Sequence, residues 1–272
     1  MPLNTMDGLT AAIIPFPVVW NKGALAGALA QVPITPWYAA GLVGAGAAPI
    51  GGLNGGIFTG PSVAGQIPCP AAVAGNTSAI LRAGITQTGN VGNVWLVDRM
   101  WGNAPVVTTV GAQAIVSPAW PPRDTSASIN GNAVFLALEA SVVTGNGAPI
   151  TNTTVSYTNS LGVAGRTATL ASFPATASVG TFVFFALQSG DVGVKSVQSI
   201  TLGTSYVSGA IHLIAFRVVC ELPPNPVAGV ANPLSYTQLL KPTVVDASVL
   251  QLVYFPTGVP AAVYGSFTFG QG

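Results

Sequence analysis

The sequence predicts an all-β protein: a jelly-roll-like β-sandwich with an extended, Gly/Pro-rich N-terminal arm. Three observations lead to that class. Residues 152–218 alternate short runs rich in Val, Ile, Thr, Phe and Tyr with clusters of Gly, Ser, Asn and Asp, at roughly ten-residue spacing, as short antiparallel strands and their turns do. Inside that block the side chains change face with a period of two: Val155 and Tyr157 fall on one side, Thr154, Ser156 and Thr158 on the other. Helical runs, by contrast, are cut short. The ALAGALA stretch at 24–30 is hemmed in by Gly23, Gly27 and Pro33, which limits it to a turn or two.

Residues 1–89 read as the arm. The tract 41–76 is loop-like, with Gly and Pro supplying dihedrals that other residues avoid. It lacks the charge and polarity of a disordered linker, so it is expected to lie against a surface, in this chain or a neighbour, with one or two short strands. Residues 90–272 read as the sandwich. A strand over 91–100 carries Trp95; 106–110 and 113–117 form a hairpin around Gly111; prolines then keep the following loop out of any central strand. Asn130-Gly131 is the strongest short turn signal, followed by a strand over 133–143 and a second turn at Asn146-Gly147. The run 181–187 is apolar on both faces, which predicts a strand buried inside the sandwich or under a neighbouring chain. Residues 222–242 form a long proline-rich excursion, and strands over 249–255 and 261–269 close the domain. About nine or ten strands with long connections fit two packed sheets, and no fixed-period repeat suggests a propeller or solenoid.

Charge is the most unusual property. Half the residues are hydrophobic, 6% are charged and mean hydropathy is +0.60, against a usual charged share of about 25%. So bare an exterior suits a membrane, a fibre or an assembly that covers it. The membrane reading fails on detail: residues 23–81 carry no charge, but Pro33, Pro36, Pro49, Pro61, Pro68 and Pro70 interrupt them, and no helix of about 20 apolar residues fits. No basic leader precedes the first apolar run, so no signal peptide is read. A net charge of +1 with scattered Lys and Arg gives no stripe for nucleic acid. Cys69 and Cys220 lie far apart and are read as two buried thiols outside any disulfide.

No catalytic, cofactor or metal site emerges. His212, the single histidine, shares its strand face with Ile214 and Phe216 and reads as half covered by neighbours; no second His or Cys stands at ligand spacing. Among the acids, Glu139 and Asp98 are the one pair that a glycosidase reading would use. Asp98 and Arg99 should point to opposite faces of a strand, each ending in a surface or interface ion pair. Asp124, beside Arg123, and Asp191 read as turn residues. Gly44 and Gly46 begin like a dinucleotide fingerprint, but Pro49 stands where the helix should start, so the segment is a loop.

Several stretches carry a resemblance: VWLVDRMWGNAPVV at 94–107, WYAAGLVGAGAAPIGGLNGGIFTG at 37–60, and, in the central block, NTTVSYTNSLGVAGRTATL, VGVKSVQSITLGTSYVSG and IHLIAFRV. Together they resemble structural proteins of tailed bacteriophages, cyanophages among them, over residues 37–218. The resemblance implies a non-enzymatic virion protein on the outside of the phage head, a decoration or cement protein that bridges capsomers. Its expected partners are the major capsid protein and itself, as a homotrimer, with no cofactor, nucleic acid or membrane. The alternatives are a tail or baseplate component and a host-glycan-binding module, the latter using Trp101, Trp120 and Tyr206 in loops to stack on sugars.

Overall fold

A computed structural model describes residues 5, 8, 11, 17–61, 63–71, 78–239, 243–245, 247–259 and 261–272. Most of residues 1–16, Asp7 among them, on which the start of the expected arm and the signal-peptide reading fall, lie outside the described residues, as do Lys241 and Asp246.

The strands in chain order are β1 Val18–Lys22, β2 Gly56–Ile57, β3 Ser78–Gln87, β4 Gly92–Gly102, β5 Gly111–Ala114, β6 Val134–Val142, β7 Thr153–Asn159, β8 Arg166–Leu170, β9 Phe182–Ala186, β10 Val194–Leu202, β11 Ala210–Leu222, β12 Asn232–Ser235, β13 Thr243–Val244, β14 Leu250–Pro256 and β15 Val263–Gln271. The chain is all-β and sandwich-like, as its sequence predicts. The smaller sheet runs β1-β15-β3-β12, with β13 also on β3; the larger runs β14-β4-β11-β6-β9-β8-β7-β10-β5, with β2 on β4. All strand pairings between these elements are antiparallel.

Side-chain alternation decides where each face goes. On β7 the positions Thr153, Val155, Tyr157 and Asn159 are buried while those between them are half exposed, and on β8 Ala168 and Leu170 point inward. These join Leu136, Leu138 and Ala140 of β6, Leu213 of β11 and Ile200 of β10 in one apolar cluster. The larger sheet therefore folds over on itself at β9 and closes around that cluster. A second cluster lies between the smaller sheet and the β14-β4-β11 edge, joining Trp20, Ile80, Ile85 and Phe267 to Leu96, Leu222 and Leu252.

The opposite face of β14, β4, β11, β6 and β9 encloses a third cluster. Ile34 bridges both Tyr254 of β14 and Thr181 just before β9; Ile34 and Tyr254 exchange backbone hydrogen bonds of 2.9 and 2.7 Å, and Phe182 N–H donates to the Pro33 carbonyl at 2.9 Å. The segment around Ile34 thus ties the first strand of this run to the last, and the five strands curl into a small barrel. Phe184 of β9 stacks on Phe255 of β14, centroids 5.7 Å apart and planes 9° from parallel, a contact two flat-sheet edges could not make. Both faces of the apolar run at 182–186 are accordingly packed within the chain: Phe182 and Phe184 face the barrel, Val183 and Phe185 the first cluster.

Three expectations change. The arm contributes more than short strands, because β3 has ten residues and pairs with β15, β12 and β13 in the smaller sheet. Residues 24–30 turn without helix, and the one short 3-10 segment here is Pro36–Tyr38. The hairpin expected at 106–117 is replaced: only β5 forms, and the Gln113 side chain meets both the N–H and the carbonyl of Val106, at 2.8 and 2.9 Å. The Asn130-Gly131 turn signal has a steric basis. Gly131 has φ +78° and a Cβ there would sit 1.8 Å from the Val194 carbonyl oxygen, so the loop can approach β10 only with glycine.

Candidate functional site

Twelve Asp, Glu, Lys and Arg residues are described, and seven of them, Lys22, Asp98, Arg99, Arg123, Asp124, Glu139 and Arg217, are buried. Five of them are organised around two neighbours on β4, Asp98 and Arg99. Asp98 and Arg99 do point to opposite faces, as alternation requires, but neither reaches a surface. Both are fully buried, which corrects the expected surface or interface pairs.

Arg99 points into the barrel, and its Nη2 lies 2.7 Å from Glu139 Oε2. Nη1 donates to Gln251 Oε1 at 3.1 Å, and Gln251 Nε2 donates onward to Thr35 Oγ1 at 2.7 Å. The guanidinium lies over the rings of Trp37 and Phe58, 4.9 and 4.6 Å from their centroids, an arrangement Arg favours because its planar cation is weakly hydrated. Burial alone would lower its pKa, but Glu139 and Tyr38 hold it above the ordinary value. The Tyr38 phenol, in turn, is held well above its usual range by burial and by Glu139. Trp37 is set by the glycine-rich tract: its Nε1 donates to the Ala47 carbonyl at 3.0 Å, and a Cβ on Gly46 would lie 2.2 Å from that nitrogen. Of the glycines in the segment that begins like a dinucleotide loop, Gly46 is therefore there to let backbone pack on the Trp37 indole.

On the other face Asp98 accepts from Ser248 Oγ at 2.8 Å and from Val249 N–H at 3.0 Å. Arg123 Nε lies 3.5 Å and Arg217 Nη2 3.8 Å from its Oδ2. Burial pushes Asp98 up while the two guanidiniums oppose it. Arg123 also donates to the carbonyls of Phe58, at 2.8 Å, and Ala247. Lys22 is a third pin: its Nζ donates to the carbonyls of Gly44 and Ala39 at 2.7 and 3.2 Å, fastening the glycine tract to β1, and burial pushes it down to about 8. What these groups do chemically is hold: each ties the tract 35–58 or the loop 243–249 to the strands.

His212 is buried rather than half covered. Its Nδ1 lies 2.8 Å from the Asn103 carbonyl, which only accepts, so Nδ1 carries the proton; Nε2 then accepts from Ser141 Oγ–H at 2.6 Å. A serine and a histidine are thus joined, but the group orienting the ring is a main-chain carbonyl and not an acid. Burial, opposed by Glu139, holds the imidazole below 6.5. The unfolded chain therefore takes up the proton first as pH falls, so the stability from the neutral ring is complete above about 6.5 and is lost as pH drops through the folded-state value. The ring resonances of this single histidine should titrate below pH 6.5. Unfolding free energy measured in urea should fall on acidification from there, with a slope that His212→Gln removes.

At the far end of the barrel, Trp95, Phe135, Phe184, Phe216 and Val218 line an apolar mouth of about 220 Å³. Trp95 and Phe255 approach to 4.6 Å.

No family model matches the chain, and no curated protein matches it. Among solved structures it is similar to chains of infectious bursal disease virus. The Gt strain shares 9% identity over 96% of this chain and 81% of that one, at a TM-score of 0.20; the VP2 subviral particle shares 10% over 84% and 47%, at 0.15. Backbones that agree so little do not superpose.

The remaining predicted residues fall apart spatially. Trp101, Trp120 and Tyr206 are buried: Trp101 packs on Trp120 at 5.5 Å, and Tyr206 on Phe173 at 5.4 Å. None can stack on a sugar, which removes the residues the glycan reading relied on. Glu139 and Asp98 face opposite sides of the larger sheet and share no cleft. Asp124 is the turn residue expected, accepting from the N–H groups of Ser126, Ser128 and Asn132. Asp191 does more than end a turn: it receives Arg166 Nε at 2.9 Å, Tyr157 Oη–H at 2.5 Å and Asn159 Nδ2 at 2.7 Å, and these donors hold its carboxyl far below the usual range. Cys69 and Cys220 pack against the same apolar cluster, and burial pushes the Cys220 thiol up to about 12. Among the described residues no group of three or more His, Cys, Asp and Glu side chains could hold a metal ion, and no helix is long and apolar enough to cross a membrane. Arg217, Lys22 and Gln251 were not legible as site residues. The signal for Arg217 was a lone cation inside the apolar run IHLIAFRV.

Proposed function

We propose that this chain is a non-enzymatic virion structural protein: a decoration or cement protein that binds the major capsid protein on the head of a tailed phage and bridges capsomers as a homotrimer. One observation carries the reading. A chain already poor in charge spends most of its described ionic groups in the interior, so its solvent-facing side holds only Arg82, Lys195, Glu221 and the Arg166–Asp191 pair among the described residues. Large apolar side chains stand in their place, with Ile50 and Leu161 each 80% exposed. Charged groups on the outside keep copies apart and resist burial; their scarcity makes covering the surface cheap in desolvation. The sequence resemblance to phage structural proteins points the same way.

The test is assembly. The purified protein should run as a trimer in light scattering and cosediment with expanded capsids of the phage that encodes it, at hundreds of copies per particle. A monomer that stays in the supernatant sinks the proposal, and a dozen copies or fewer would move the chain to the tail.

A further inference from the structure

We infer that Arg217 is the floor of a binding pocket for a single carboxylate group. On β11 the pairing with β4 slips on both sides of it, between Ala215 and Phe216 and again between Val218 and Cys220. Such bulges re-aim the side chains between them. Arg217 lies in register with Asp98, yet its Nη2 is 3.8 Å from that carboxylate and 3.5 Å from the Thr243 carbonyl. Its Nε has no hydrogen-bond partner, although the residue is only 5% exposed. Asp98 is already engaged by Ser248, Val249 and Arg123. A guanidinium has five donors in a fixed fork, and a buried one this loosely met is a group waiting for an acceptor.

The space beside it is shaped for one. A cavity of about 320 Å³ opens against Arg217 between Asp124, Thr125, Ala127 and the strand Thr243–Val244. Asp124 contributes no acceptor to Arg217, since its two oxygens take four donors from its own loop: the N–H groups of Ser126, Ser128 and Asn132 and the Ser128 hydroxyl. Its charge still counts. Among the described residues Arg123 and Arg217 face Asp98 and Asp124 with no surplus of positive charge, which disfavours a dianion such as phosphate. A monoanionic carboxylate asks for less compensation than a dianion, and a guanidinium offers donors spaced to match its two oxygens. The volume exceeds the head group and leaves room for an apolar stem against Val244. The carboxylate belongs either to a small free acid or to an Asp or Glu side chain of a neighbouring protein. The site itself does not depend on capsid binding.

Sodium propionate, which mimics an acidic side chain, is the probe. In ¹⁵N-labelled protein the arginine Nε–H signals are few, and Arg217→Lys identifies the one of interest by removing it. Propionate should shift the Arg217 Nε–H and the Thr125 and Thr243 amides saturably, sodium chloride at equal ionic strength should not, and Arg217→Lys should weaken the amide response by about tenfold or more through loss of the fork. No shift with propionate, or the same shift with chloride, overturns the inference, and the parent protein alone decides this if the variant fails to fold. Where propionate binds, cosedimentation separates the sources: folded Arg217→Lys that no longer joins capsids means a neighbour's side chain supplies the carboxylate, and unchanged joining means a free acid does.

Discussion

Replacing Glu139 by alanine is expected to lower the unfolding free energy by about 3–5 kcal/mol. The magnitude comes from what is left behind. Arg99 would remain fully buried between Trp37 and Phe58 without its carboxylate, keeping only Gln251 as a side-chain acceptor. Taking an ion out of water costs several kcal/mol after relaxation, and the attraction of its partner is what offsets that. Urea unfolding of Glu139→Ala against the parent measures the loss. The double variant Arg99→Met, Glu139→Leu separates the pair from its surroundings: with both charges gone it should recover most of the single variant's deficit. A single variant within about 1 kcal/mol of the parent would mean that water reaches the pair and that it behaves as a surface bridge.

That pair also marks the limit of what the residues disclose along the chain. Alternation in β4 placed Asp98 and Arg99 on opposite faces, and the structure agrees. It could not place either indoors. A charge in a strand is normally a solvated face, and the groups that make burial tolerable here, Glu139, Gln251, Trp37 and Phe58, come from four distant stretches. Only the barrel brings them together, and the barrel depends on Ile34 bridging two strands from a segment with no strand pattern of its own. The same cause hid Lys22, whose acceptors are main-chain carbonyls that no side-chain pattern announces.

Strands were legible where the period of two is spelled by contrasting residues, as in β7, β8 and β15. β3 was missed because its middle, Arg82-Ala83-Gly84, is weak in β propensity and its pairing with β15 slips between Thr268 and Phe269, which breaks the phase. The proline-rich excursion concealed β12, which has Pro233 in it and lies at the end of the smaller sheet's strand order, where proline is tolerated. Composition left open whether the tract 41–76 lies on this chain or a neighbour; its part at 53–54 packs on this chain's own sheet, with the Asn54 and Leu53 carbonyls receiving Trp101 Nε1 and Asn103 Nδ2 at 3.0 and 2.8 Å.

Trp120 tests the same distinction between surface and interior from the apolar side. As a loop aromatic it could have been a sugar platform, and its removal would then have changed binding and left stability alone. It is 1% exposed, packs on Trp101 and donates from Nε1 to the Val194 carbonyl at 2.6 Å, the same oxygen that Gly131 must approach closely. Trp120→Ala should therefore cost about 3–5 kcal/mol, through lost burial and the cavity left in the main cluster. Trp120→Phe keeps most of the volume and removes only the donor, so it should cost about 1–3 kcal/mol, the range for an acceptor left buried and unmet. Denaturant midpoints of the two variants order these effects. If alanine were tolerated within about 0.5 kcal/mol, as at an ordinary surface position, the loop would not be part of the core. The Val194 carbonyl would then need another donor, and the 118–133 loop would be held at the start of β10 by Gly131 and the Asn132–Gly193 bridge without the indole.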